Sequence, residues 1–390
     1  MLNYFASLNE LILKTVTIAH LTPKKILFIT PYFGLSGSEM QLLYILKNLD
    51  RDKFSPMLFS RDNGVLLKEI DKDVRAFVGY KKHGNYLLRL FRLLLYAVNI
   101  NPVEYQLRKL HEKLKPDFWY INTIANRDAF AIAQKLKVKL VTHVHELPFV
   151  YGLSKYQTLQ KMIQNSQLSI GCSGIVCEKL RDMGHNNVAL LYGFVDPDRI
   201  KITEPRNLIR DKFNIREEDF VWIVSGATNN IKGIDYLIPL LKRLDPNHKI
   251  IWIGPIVKNG TFYYTESAVK KSYADRVFFI DKQSDKYYDY FNAGDALLSL
   301  SREDSFPLVM QEAAHLGMPI AGFNSGGIKE YVSEQVGIVV DQLNFESLAK
   351  AMQHIAVHKE LYNSEKIKQY AKSFNAVTQT KNLENILNQL

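Results

Sequence analysis

The sequence predicts an α/β fold with two doubly wound domains. A chain of 390 residues is too long for one ordinary hydrophobic core. Short apolar runs alternate with stretches of helical spacing, and this series restarts near the middle of the chain. The composition, 47% hydrophobic and 23% charged, is typical of a folded globular protein. Together these observations predict two Rossmann-like domains, over residues 1–200 and 201–374.

The first domain opens with an apolar run at Lys25–Thr30, which predicts a buried parallel strand. A loop containing Gly34 and Gly37 follows, and Glu39–Leu46 has helical spacing. Strand, glycine loop and helix are the opening of a βαβ unit. Further strands of this domain are predicted at Pro56–Ser60, Phe118–Asn122, Lys139–His143 and Leu168–Cys172.

The second domain restarts the pattern at Phe220–Ser225, again followed by glycine and a helix. Its remaining strands are predicted at Lys249–Ile253, Val277–Ile280, Ala296–Leu300, Pro319–Phe323 and Gly337–Val340. The hinge is expected between Asp196 and Arg210, where prolines and charges cluster. A last helix, within residues 375–390, can pack on either domain, including back on the first.

The excess positive charge lies entirely in the first half of the chain. The net charge is +10, and residues 1–200 hold 27 Lys and Arg against 17 Asp and Glu. That half is therefore expected to face an anionic partner, either a lipid surface or a charged acceptor, and no nucleic acid is expected. Basic and apolar residues interleave over residues 81–115, a pattern that fits a membrane-surface helix or a core helix with a solvated basic face equally well.

The cysteines and apolar segments favour a cytoplasmic location. Cys172 and Cys177 have no second pair, which suits a reducing compartment. No run approaches 18 apolar residues, so no spanning helix is expected. Residues 1–21 are apolar but lack a basic leader and a small-residue cleavage site, so no signal peptide is expected. Peripheral contact with the inner face of the plasma membrane stays open.

The most informative segment follows the strand at Ala296–Leu300. Ligands bind at the carboxyl ends of strands in open α/β sheets. Asp304 lies in the loop there, and a helix is expected near Pro307, with free N–H groups for a phosphate or sugar oxygen. Glu312, about two turns into that helix, can accept hydrogen bonds from the vicinal hydroxyls of a ribose. The alternative is an exposed charged loop followed by a surface acid.

This segment resembles the signature of glycosyltransferase family 4, the retaining enzymes of the GT-B fold, in which two such domains face a cleft. The family has two glutamates separated by seven residues, with a phenylalanine and a small turn between them. Asp304, Ser305, Phe306 and Glu312 match that spacing. The resemblance implies that Asp304 contacts the donor sugar and Glu312 the nucleotide ribose. Aspartate shortens the reach at the first position, where Glu303 can substitute.

A second match follows the next strand. Gly326, Gly327 and Glu330 resemble the Gly-Gly-x-x-Glu of the family. Glycines allow the backbone to approach a ligand closely. The resemblance implies that Glu330 lies near the donor sugar. A plain strand-to-helix turn is the alternative.

A third match opens the second domain. Gly226 and Lys232 lie where the family has Gly-Arg-Leu followed by Lys-Gly, which implies that Lys232 neutralises the donor diphosphate. Ala227 replaces the arginine, a loss on the order of 1–3 kcal/mol unless another donor compensates. The glycine-lined backbone, a helix N-terminus or Arg302 can supply that donor. An ordinary surface lysine is the alternative.

Two segments of the first domain complete the resemblance. The loop Gly34–Glu39 looks like the Gly-Gly-x-Glu of the family, with Ser36 replacing the first glycine, and implies that Gly37 lies near the donor phosphates. Because this loop is not Gly-x-Gly-x-x-Gly, nicotinamide binding is disfavoured. His143 and His145 lack a third metal ligand, and the resemblance makes His145 a positioning group in the cleft. A buried histidine that caps a strand is the alternative.

The sequence therefore predicts a retaining, hexosyltransferase-like glycosyltransferase. By resemblance it uses a UDP- or GDP-linked sugar, needs no metal or other cofactor, and relies on Asp304, His145 and Glu330 as catalytic groups. The expected acceptor is a lipid-linked carbohydrate or a growing surface polysaccharide, such as lipopolysaccharide or capsule. Two alternatives stay open: a nucleotide-sugar epimerase or hydrolase of the same fold, and a non-catalytic nucleotide-sugar binding protein.

Overall fold

The computed structural model describes residues 22–79, 85–147, 159–160 and 163–390. The signal-peptide expectation for residues 1–21, and the start of the basic segment at residues 81–84, lie outside the described residues. None of the helices in the described part of the chain is long and apolar enough to cross a membrane.

The N-terminal domain contains a seven-stranded parallel sheet. Its strands are β1 (Lys24–Thr30), β2 (Phe54–Ser60), β3 (Arg75–Val78), β4 (Phe118–Asn122), β5 (Leu140–Val144), β6 (Leu168–Gly171) and β7 (Val188–Leu190). They lie in the order β3-β2-β1-β4-β5-β6-β7. Its helices are α1 (Gly37–Asn48), α2 (Tyr86–Ala97), α3 (Pro102–Leu114), α4 (Arg127–Leu136) and α5 (Gly174–Asp182).

The C-terminal domain contains a six-stranded parallel sheet. Its strands are β8 (Phe220–Ser225), β9 (His248–Ile253), β10 (Val277–Ile280), β11 (Ala296–Ser299), β12 (Ile320–Phe323) and β13 (Gly337–Val340), in the order β10-β9-β8-β11-β12-β13. Its helices are α6 (Arg206–Asp211), α7 (Leu237–Leu241), α8 (Gly260–Ser272), α9 (Tyr287–Asn292), α10 (Leu308–His315), α11 (Ile328–Tyr331), α12 (Phe345–Val357) and α13 (Ser364–Ala371), and α14 (Ala376–Asn388) follows it in the chain. The predicted pair of doubly wound α/β domains is confirmed.

The central strands are continuous apolar runs because helices cover both faces of each sheet. Along β1, Ile26 and Phe28 belong to one buried cluster, and Leu27 and Ile29 to the cluster on the opposite face. Strands β3 and β7 were not predicted from the sequence. The first begins with two exposed residues, and the second is only three residues long.

The chain crosses between the domains twice, at adjacent points. Val195 and Asn375 form an isolated parallel bridge, and the N–H of Ala376 donates to the carbonyl of Val195 at 2.9 Å. After the second crossing, α14 returns to the N-terminal domain and packs on α1. Leu383 is fully buried there, and Glu384 accepts a hydrogen bond from the Asp50 N–H at 2.7 Å. The last helix therefore completes the core of the first domain.

We expect Leu383→Ala to destabilise the protein by about 2–5 kcal/mol, because it leaves a cavity in a fully buried cluster. Val377→Ala, at a position on the same helix that is 66% exposed, is the control and should change stability little. Denaturant unfolding of both variants measures the difference. Equal stabilities would mean that α14 is not packed as described.

Candidate functional site

The strand order reverses at one place in each sheet, between β1 and β4 and between β8 and β11. Loops that leave a sheet in opposite directions open a crevice at such a point, and doubly wound folds bind ligands there. A pocket lies at the carboxyl edge of β8 and β11, lined among others by Ser225, Lys232, Leu300 and Asp304. Two of the predicted site residues are thus brought together at the reversal of the C-terminal sheet.

Lys232 and Asp304 form an ion pair in this pocket, with Nζ 2.5 Å from Oδ2. Two glycines at positive φ hold the lysine loop. Gly226 (φ +147°) lies against the side chain of Lys232, and a Cβ on Gly233 (φ +73°) would come within 2.2 Å of the Leu300 carbonyl. The loop that carries Lys232 is therefore in contact with the loop that carries Asp304. This contact places the lysine cation beside the aspartate carboxylate.

The Asp304 loop and the Gly326-Gly327 loop form a single unit. The Asp304 N–H donates to the Ser325 carbonyl at 2.8 Å, and the Gly327 N–H donates to the Asp304 carbonyl at 3.2 Å. A Cβ on Gly327 would lie 2.0 Å from the Ser305 carbonyl oxygen. The sequence predicted that these glycines allow close approach of a ligand. In the structure they allow close approach of the two loops.

Glu312 lies on α10 and is held by two tyrosines that the sequence analysis missed. The hydroxyls of Tyr287 and Tyr288 each donate to one carboxylate oxygen at 2.9 Å. Burial raises the pKa of Glu312, and these two hydrogen bonds oppose the shift. Tyr287 also bonds Ser225 at 2.8 Å, which connects Glu312 to the lysine pocket. The position of the two tyrosines, a few residues beyond the carboxyl end of β10, was the available signal.

Glu330 lies across the cleft, against the N-terminal domain. Its carboxylate accepts hydrogen bonds from the N–H groups of Gly174 at 2.5 Å and Ile175 at 2.9 Å, at the start of α5. The first N–H groups of a helix have no partner within the helix, and the helix dipole favours an anion there. Glu330 therefore joins the two domains, a role that the sequence analysis did not foresee.

His145 is a half-buried side chain at the edge of the cleft. Its Nε2 lies 3.0 Å from Oδ1 of Asn122, whose Nδ2 donates to the Ser38 carbonyl at 3.2 Å. Burial lowers the pKa of His145 to about 3. The carbonyl of His145 accepts from the Ser305 hydroxyl at 2.5 Å, so the Asp304 loop contacts this strand end. Asn122 was missed, although it ends a predicted strand at the ligand edge.

Glu146 is a second acid with a strongly altered environment. Its Oε2 accepts the His145 N–H at 2.9 Å, and Thr123 donates to its other oxygen. Burial raises the pKa of Glu146 to about 7. No role was predicted for it from the sequence.

The remaining predicted residues lie at the domain interface or outside the pocket. Gly37 begins α1 and faces Leu308, at the start of α10 in the other domain. Phe306 is buried, with its ring 5.1 Å from that of Tyr192. Arg302, considered as a substitute for the missing arginine, is instead paired with Asp235 at 2.5 Å. That ion pair already occupies its guanidinium.

Comparison with known proteins finds a family match in the C-terminal domain and two relatives of the chain. Residues 205–374 match the family model of glycosyl transferases group 1. An uncharacterized 41.2 kDa protein of the cps region of Klebsiella pneumoniae is 26% identical, over 61% of this chain and 66% of that one. An uncharacterized glycosyltransferase of Haemophilus influenzae is 28% identical, over 42% and 47%. The chain thus spans less than two thirds of the length of either relative.

The fold as a whole is that of a solved structure. Anabaena Alr3699/HepE, in complex with UDP, superposes with a TM-score of 0.75 at 20% identity, covering 94% of this chain and 100% of that one. The predicted GT-B architecture is confirmed, and residues 205–374 confirm a resemblance to group 1 glycosyl transferases. The finer assignment to family 4 stays a prediction.

We expect Gly327→Ala to destabilise the protein by about 2 kcal/mol or more, because its methyl group would collide with the Ser305 carbonyl. The φ of Gly327 is −68°, so the alanine backbone itself is unstrained. Gly260→Ala is the matched control, since no atom lies within 4 Å of its added Cβ. Thermal and denaturant unfolding measure both. A harmless Gly327→Ala would contradict the described pairing of the loops.

We expect Glu146→Gln to change how stability depends on pH. Between pH 4.5 and about 7 the folded protein holds a proton that the unfolded chain has lost, so this group makes stability fall as pH rises through that window. The variant has no such carboxyl group, so its free energy of unfolding does not fall in this way. The difference between variant and wild type should therefore increase from pH 5 to pH 8 by on the order of 1–3 kcal/mol, in favour of the variant. Urea unfolding at several pH values measures it, with the exposed Glu334→Gln as control. A pH-independent difference would contradict the raised pKa.

Proposed function

We propose that this chain transfers a sugar from a nucleotide diphosphate sugar to an acceptor, with retention of anomeric configuration. The observation that carries the proposal is the Lys232–Asp304 pair at the strand reversal of the C-terminal sheet. The match of residues 205–374 to group 1 glycosyl transferases covers this same region. The UDP complex of HepE supports a UDP-linked donor.

In this proposal the pocket separates its two charges when the donor binds. The diphosphate takes Lys232, and Asp304 turns to the hydroxyls of the sugar. Ser225, Tyr287 and Glu312 form a hydrogen-bonded chain beside the lysine, suited to the nucleotide ribose. Each side chain thus contacts a group that it can bind. The lysine cation binds phosphate, and the carboxylates accept hydrogen bonds from hydroxyls.

The transfer step breaks the bond between the anomeric carbon and the diphosphate oxygen, which keeps the electron pair. Lys232 and backbone N–H groups stabilise that negative charge as it develops. The acceptor hydroxyl oxygen forms its bond on the same face of the sugar, which retains the configuration, and its proton passes to the departing diphosphate oxygen. His145 is neutral, so it acts as a hydrogen-bonding group that positions the sugar rather than as a cation. Closure of the two domains excludes water and limits hydrolysis of the donor.

The acceptor that we propose is a carbohydrate, either lipid-linked or part of a growing surface polysaccharide. The relative from the cps region of Klebsiella pneumoniae supports this assignment. The proposed location is the cytoplasm. Two free, buried cysteines support a reducing compartment.

We expect Lys232→Met to weaken UDP binding by about tenfold or more, since a charge-assisted contact to phosphate contributes about 1.5–3 kcal/mol. Glu312→Gln should weaken it less, because the amide keeps one acceptor oxygen. Calorimetric titration with UDP and GDP measures both, and the exposed Lys242→Met is the control. Unchanged affinity in Lys232→Met would place the donor elsewhere.

Product analysis distinguishes sugar transfer from the two alternative functions, an epimerase or hydrolase and a binding protein. With donor alone, a glycosyltransferase leaves most of the sugar nucleotide intact, and with acceptor it releases the nucleoside diphosphate and forms a glycoside. An epimerase or hydrolase consumes the donor without an acceptor. A binding protein retains the donor and turns nothing over with any of the acceptors offered.

A further inference from the structure

Helix α2 presents an apolar face to solvent. Its exposed residues fall on one arc of the helix, since they recur at spacings of three and four. The most exposed large side chains of the helix and the residues just after it are Tyr86, Leu87, Leu90, Leu93, Leu94, Tyr96 and Val98. Leu95 alone is fully buried within the helix. This arrangement inverts the usual one, in which the leucines of a surface helix face the core.

The opposite side of α2 packs on α3. The ring of Phe91 lies 5.7 Å from that of Tyr105 in an edge-to-face contact, and the Lys109 Nζ lies 5.1 Å from the same Tyr105 ring. The outward leucines are therefore not the contact that holds the helix to the protein. They form a surface that the N-terminal domain leaves uncovered among the described residues.

The described residues around this face carry an excess of cations. Helix α2 contains Arg89 and Arg92 and no Asp or Glu. On α3, Arg108, Lys109 and Lys113 are exposed, against one exposed acid, Glu112. A helix with an apolar face and flanking cations binds the boundary between the headgroups and acyl chains of an anionic bilayer. A protein partner that covered the leucines would also have to be acidic around its rim.

The position of α2 suits the proposed transfer. The helix follows the carboxyl end of β3, and Gln106 of α3 donates to the Val78 carbonyl at 2.9 Å at that strand end. All strands of the sheet are parallel, so this is the edge that also carries the Gly37 loop and Asn122. Helix α2 therefore follows the same edge of the sheet as the loops that line the cleft, after a strand that lies two positions from β1.

We propose that the outward face of α2 docks on an anionic membrane surface and brings a lipid-linked acceptor to the cleft. The choice of acceptor rests on the proposed function. The docking does not, because it is measured without turnover. Failure of the docking and failure of the sugar transfer are therefore distinguishable.

The test compares wild type with Leu90→Gln/Leu94→Gln in flotation with vesicles of phosphatidylglycerol and phosphatidylcholine, and with vesicles of phosphatidylcholine alone. Wild type should float with the anionic vesicles. The double variant should bind these vesicles about tenfold more weakly, or not at all. Leu361→Gln, at an equally exposed site of the C-terminal domain, is the control and should bind as wild type does. Both substituted leucines are exposed, so the melting temperature and UDP affinity should stay unchanged.

A fluorescent label distinguishes the membrane from other occupants. NBD attached to Leu94→Cys should shift to the blue on addition of anionic vesicles, whereas NBD on Leu361→Cys should not. A label at position 94 that is already shielded without vesicles would overturn the proposal, since another part of the chain would then cover the face. A wild-type dimer that the double variant converts to monomer, with unchanged vesicle binding, would overturn it in favour of a second copy of the chain. Equal binding of wild type and double variant would also overturn it.

Discussion

The backbone pairing of the Asp304 loop with the Gly326-Gly327 loop is the constraint on which the rest of the site depends. Two hydrogen bonds and a glycine that admits no Cβ hold the loops together. With Asp304 fixed in this way, its carboxylate reaches Lys232, and its neighbour Ser305 reaches the carbonyl of His145 in the other domain. One local pairing therefore sets both the pocket of the C-terminal domain and its contact with the N-terminal domain.

The cleft is bridged in this structure by polar contacts. Glu330 accepts from two N–H groups at the start of α5, Ser305 donates to His145, and Gln311 donates to the Gly193 carbonyl. Hydrogen bonds of this kind are individually modest, because water replaces them when the domains separate. Apolar contacts add to these polar ones, because one buried cluster joins Val144 and Val176 of the N-terminal domain to Phe306 of the C-terminal domain.

The two domains have different surfaces for different tasks. The C-terminal domain contains the charged pair and the Glu312 network, which are suited to a nucleotide sugar. The N-terminal domain contains the excess positive charge of the sequence and the exposed leucines of α2. This division suits the proposed function and the proposed docking, in which a nucleotide sugar arrives from water and a lipid-linked acceptor from a membrane surface.

The sequence by itself determined the two-domain α/β class, eleven of the strands, and the loops that follow them. Buried parallel strands are continuous apolar runs, and their carboxyl ends share one edge, so strand order along the chain was enough to predict where polar loops collect. Only the tertiary structure decided which polar groups meet. Tyr287 and Tyr288 reach Glu312, Glu330 reaches α5, and Arg302 pairs with Asp235. These contacts join elements far apart in sequence or on opposite domains, and no local periodicity encodes such distances. The sequence also left undetermined the direction in which the leucines of α2 point. An apolar helical face has the same residue spacing whether it packs on the core or is exposed to solvent.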